Sequence, residues 1–169
     1  MPDVPARQQS ARGHAMTNTD HALNELLNEI EEKCDPLVGS KECNDFMLEC
    51  LSLIQEKLPP ISLEAMALLR GYFVGRITID AVSDMLVKCW RYIDENYKGV
   101  DHGGAEVSAI RAVIFPLDAQ RRAQERDIVD YLGSFLTFVN QVEPHPKKEE
   151  DLLRKHFAKC MSTGRVAQL

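Results

Sequence analysis

The chain has 169 residues, 26 acidic and 20 basic, for a formal net charge of −6. That length suits a single domain with a substantial core, and 44% hydrophobic with 27% charged residues excludes a wholly disordered or collagenous chain. No apolar run reaches the roughly 20 residues of a membrane helix, and the acidic balance speaks against a sequence-nonspecific nucleic-acid binder.

Residues 1–16 contain Pro2, Pro5, Arg7 and Arg12 and no apolar stretch of signal-peptide length. They read as a disordered leader, with Met16 a candidate start and a cytoplasmic protein as the consequence. Beyond them the periodicity is helical. Leu23, Leu26, Leu27, Ile30 and Cys34 fall within an arc of roughly 100° on a first helix, capped by Thr19 and stopped by Asp35-Pro36. Ser40 opens a second helix with Cys43, Phe46, Met47, Cys50, Leu51, Ile54 and Leu58 on one face, halted by Pro59-Pro60. Ser62 is the expected cap of a third, with Gly75 at its exit. A fourth starts at Thr78 and carries Ile79, Val82, Leu86, Cys89, Trp90, Ile93 and Tyr97 on one face, towards the core.

A fifth helix, from about Ala105 to Phe115, is apolar on most sides and belongs at the centre of a bundle. Pro116 is expected to end or kink it, and Asp118 to Arg126 reads as a polar extension of the next. Ile128, Leu132, Phe135, Leu136 and Val139 stripe a sixth helix. Leu153, Phe157 and Cys160 stripe a seventh after Pro146, with 162–169 fraying. The expected fold is all-α: a single-domain antiparallel bundle of six or seven helices over 17–161.

Cys34, Cys43, Cys50, Cys89 and Cys160 make an odd set without a CxxC pair. They are expected to pack as small hydrophobes, with neither disulfide nor zinc. There is no phosphate loop, GxSxG elbow or HExxH. His156 with Cys160, and Asp80 with Asp84, each share a helix face. The first lacks further ligands. The second would need His102 or Glu106, and it reads more simply as an acidic first turn with an Asp84–Lys88 pair. Arg111, inside the most apolar helix, calls for a carboxylate such as Glu106 or Asp94. No catalytic set emerges, and no metal or other cofactor is expected.

The charge is local. Residues 17–60 hold ten acids against three lysines, a net −7, while the rest is nearly neutral. Glu25, Glu29 and Glu32 lie opposite the first apolar stripe, and Glu42, Asp45, Glu49 and Glu56 cluster on the second helix. Such a surface either serves solubility or docks a basic partner whose approach it steers.

The stretches LLRGYFVGRITIDAVSDMLVKCWRYID (68–94), EVSAIRAVIFPL (106–117) and DIVDYLGSFLTFVNQV (127–142) together resemble small helical bacterial immunity proteins of polymorphic or contact-delivered toxin systems. The resemblance lies in hydrophobic pattern and leaves the acidic helices uncovered. It implies a cytoplasmic, non-catalytic protein that neutralises one cognate toxin, with no nucleic acid or membrane partner. The seven acidic residues are the expected partner-binding set. A helical adaptor docking a partner through an apolar groove is the alternative reading, and a metal-dependent helical enzyme a third.

Overall fold

The computed structural model describes residues 18–97 and 104–163. Among them are seven α-helices and no strand: α1 (Asn18–Cys34), α2 (Lys41–Leu53), α3 (Pro60–Phe73), α4 (Ile79–Asn96), α5 (Ala105–Ala119), α6 (Ile128–Val142) and α7 (Pro146–Thr163). The fold is the expected all-α bundle. The leader 1–16, His102 and most of the 162–169 tail lie outside the described residues.

Local chemistry sets most boundaries. α1 ends where Asp35 turns into the left-handed region at φ 45° before Pro36, a conformation aspartate tolerates better than most side chains. Ser40 caps α2, its Oγ accepting from the Cys43 N–H at 3.3 Å. Thr78 caps α4 in the same way through the Ala81 N–H, and Asp127 caps α6 through that of Asp130. Gly75, at φ 75°, closes α3 as expected.

Three boundaries differ from expectation. Thr19 lies within α1 instead of capping it. α3 starts at Pro60, a residue preset for the first helical position. Ser62 is therefore buried one turn in, donating to the Ala109 carbonyl. α5 runs through Pro116 to Ala119. The proline removes the N–H that would bond the Ala112 carbonyl, and at the helix end beyond it the Tyr131 hydroxyl donates to the Phe115 carbonyl (2.6 Å) and Gln120 Nε2 to that of Pro116 (3.0 Å). The polar stretch after it forms turns and does not extend α6.

α5 is the central helix, packed against α2, α3, α4 and α6. Its Val107, Ile110, Val113 and Leu117 are fully or almost fully buried, as expected of a helix apolar on most sides. α7 packs against both α1 and α2. One core runs through all seven helices, with Phe46, Phe135 and Phe157 among its largest buried side chains.

The cysteines need a correction. Cys43, Cys50 and Cys89 are buried and free, as expected, but Cys34 and Cys160 form a disulfide across 126 residues. Five cysteines leave room for one bridge and three core thiols, so an odd count excludes only full pairing. The bridge fastens the end of α1 to α7.

Candidate functional site

The seven acidic residues differ in exposure and pairing. α7 packs against both α1 and α2 and places Lys155 and His156 beside Glu49 of α2. On α1, Glu25 is exposed beside His21 at 3.3 Å, Glu29 pairs with Lys33 at 2.5 Å, and Glu32 is exposed with no ion pair among the described residues. On α2, Asp45 pairs with Lys41. Glu49 is held by Lys155 of α7 at 2.8 Å, with His156 at 3.2 Å. The hydrogen-bonded Lys155 ammonium keeps the Glu49 carboxyl below its ordinary pKa. Glu42 is exposed and lines a shallow depression of about 320 Å³ next to the bridged cysteines. Glu56 lies past α2, in a single 3₁₀ turn at Gln55–Lys57. Neither Glu42 nor Glu56 has an ion pair among the described residues.

The other sequence candidates resolve as follows. Asp80 and Asp84 are exposed on α4, and Lys88 turns away from Asp84 to Glu64 of α3 at 2.7 Å. Among the described residues no three His, Cys, Asp or Glu side chains gather as a metal site. Cys160 is committed to its disulfide and offers no thiolate beside His156.

Two residues depart from expectation, Trp90 in burial (with Ile79, also expected to face the core) and Arg111 in pairing. Trp90 is 45% exposed. It lies about 100° around α4 from Cys89 and shares an outer face with Ile79 and Val87, which are 44% and 54% exposed. Arg111 pairs with neither Glu106 nor Asp94. Its guanidinium carbon sits 5.5 Å from the centroid of the Phe138 ring, and its Nε is buried without a hydrogen-bond partner.

Both residues line a groove of about 480 Å³ between α5 and α6, flanked by α4. Antiparallel neighbours order its lining along its length. Arg111, Phe138 and Trp90 form one end. Phe115 and Tyr131 meet edge to face in the middle, centroids 5.1 Å apart. Burial pushes the Tyr131 phenol well above its ordinary pKa, so it stays a hydrogen-bond donor at neutral pH. At the far end Arg122 bridges Asp118 (2.6 Å) and Glu125 (3.3 Å), with Asp127 and Asp130 at the start of α6. One signal of this groove is present in the sequence: an arginine in an apolar helix.

No protein-family model matches the chain, and comparison with curated proteins and with solved structures finds no match. Functional argument therefore rests on the chain's own residues.

Proposed function

We propose that this is a non-catalytic binding protein of the immunity type, which neutralises a basic toxin domain through acidic side chains of α1, α2 and the turn that follows. The observation that carries the reading is the set Glu25, Glu32, Glu42 and Glu56: all exposed, none paired with a lysine or arginine among the described residues. Glu29, Asp45 and Glu49 contribute less, because Lys33, Lys41 and Lys155 already compensate them. Uncompensated surface charge of one sign attracts a partner of the other and accelerates encounter, an effect that salt screens.

The test is the association rate with the basic domain encoded in the adjacent reading frame, measured from low to high ionic strength. The expected result is a rate that falls steeply with salt and falls again in an E25Q/E32Q/E42Q/E56Q variant. A rate indifferent to both overturns the reading. The compartment follows from the same proposal. Disulfides persist in oxidising compartments and are rare in the cytosol, so a cytoplasmic immunity protein would carry Cys34 and Cys160 as thiols in the cell.

A second reading, an adaptor docking a partner's apolar segment, is favoured by one observation: Ile79, Val87 and Trp90 stand exposed along a single face of α4. It predicts an association that salt leaves unchanged and that Val87→Asp weakens.

A further inference from the structure

The groove between α5 and α6 contains a charge that the fold leaves uncompensated. Four carboxylates and two guanidinium groups line it, so a bare tally suggests a site for a cation. The two signs are separated along its length, however, with the carboxylates at one end and Arg111 at the other. At one end Asp118 and Glu125 share the single charge of Arg122. Asp127 spends an oxygen on the Asp130 N–H, and both sit in the favourable field of the α6 N-terminus. At the other end Arg111 has no ion pair among the described residues, and no hydrogen bond to its buried Nε is found there.

The ring of Phe138 beneath the Arg111 guanidinium supplies a cation–π contact. A ring face, however, leaves the in-plane N–H groups of the two terminal nitrogens free to take an acceptor from the groove. The group that satisfies a guanidinium fork best is a planar carboxylate, bound through two parallel hydrogen bonds. Around it Trp90, Phe115 and Phe138 offer aromatic walls. The volume, about 480 Å³, falls in the range of small-molecule sites.

We propose that this groove is a binding site for a small organic carboxylate with an apolar or aryl body, its carboxylate on Arg111 and its body against the aromatic walls. The site is separate from the acidic surface of α1 and α2, so either can fail while the other holds. Trp90 is the only tryptophan in the chain and lines the groove, which makes its emission a local reporter.

The test titrates the full chain with 4-phenylbutyrate, following Trp90 emission and, in parallel, heat by calorimetry. Two relatives of the same shape complete the series: neutral 4-phenylbutanamide and cationic 4-phenylbutylamine. The expected result is saturable one-site binding of the carboxylate, with the amide weaker by about tenfold or more, the usual worth of a charge-assisted pair. Arg111→Gln should remove that preference and leave amide binding unchanged, with the helical circular dichroism intact. Arg122→Gln should leave the preference in place. Absence of saturable binding, equal affinity for carboxylate and amide, preference for the amine, or a preference that survives Arg111→Gln would each overturn the proposal. The ligand series on the native chain decides the matter even if the Arg111 variant fails to fold.

Discussion

At Gly39 a side chain would collide with backbone. A Cβ built there lies 2.6 Å from Ala123 Cα and 3.1 Å from the Ala119 carbonyl oxygen, neither of which can swing aside as a flexible side chain could. The close approach is used. Asn44 Nδ2 donates to the Gly39 carbonyl at 3.0 Å, and Gln120 Nε2 donates to Asn44 Oδ1 at 3.0 Å. The Val38 N–H donates to the Glu125 carbonyl at 2.8 Å. These bonds tie the α1–α2 connection to the turn after α5. Gly39→Ala is therefore expected to cost about 1–3 kcal/mol, the usual range for overpacking. The loss should show as a lower urea midpoint with an unchanged slope. Ala123→Gly should restore little of it, because the closest clash is with Cα.

The free thiols give a second prediction at this scale. Burial pushes Cys43 up to about 11 and Cys89 up to about 12, and Cys50 well above its ordinary value. Only the thiolate is alkylated, so native oxidised protein at pH 8 should take up essentially no iodoacetamide. In urea the same protein should take up three equivalents. Rapid native labelling would mean that the helices carrying these cysteines open readily.

Between elements, α7 is joined to α2 by an ion pair whose pH dependence has a definite sign. The Glu49 carboxyl is held below its ordinary pKa by Lys155. A carboxyl depressed in the folded state stabilises fully above its unfolded value, near 4.3, and loses that contribution as pH falls through the lower folded value. The Glu49 side chain is 40% exposed, so screening limits the effect to about 0.2–1 kcal/mol. Glu49→Gln should thus lower the unfolding midpoint modestly at pH 7 and by less at pH 3. Equal loss at both would assign the effect to packing.

Elements were also what the sequence conveyed best. The stripes at Leu23/Leu27/Ile30 and Ile128/Leu132/Phe135 are buried as periodicity required, and Ser40, Thr78 and Gly75 punctuate the helices as their chemistry predicts. Misjudgements arose where tertiary contacts outweigh local rules. Pro116 lies buried inside α5, one turn before the end of that helix, where packing outweighs its tendency to break the helix. Periodicity puts Trp90 on the same face as Leu86 and Ile93, yet it lies at the edge of that stripe and stays 45% exposed. The acidic set of α1 and α2 was legible as composition. Its division was not, since the cations beside it come from Lys33 and Lys41 in sequence but from Lys155 only through the fold.

At the scale of the whole molecule the Cys34–Cys160 bridge closes a loop of 126 residues, nearly the entire bundle, and no count of cysteines could have revealed it. Its contribution follows from chain statistics: tying two points so far apart removes much of the unfolded chain's freedom. The entropic account gives about 5 kcal/mol for a loop of this length, and measured bridges usually contribute about 2–4. Leu153 and Phe157 remain buried whether or not the bridge exists, so the reduced protein should keep its helices and its α7 packing while losing stability. The expected outcome is a urea midpoint that falls on adding reductant, with little change in helical circular dichroism before the transition. The C34S/C160S variant should match the reduced protein and ignore reductant altogether. A wild-type midpoint unmoved by reductant would show that the bridge adds nothing to stability. A variant that still responds would place the redox-sensitive pair among Cys43, Cys50 and Cys89.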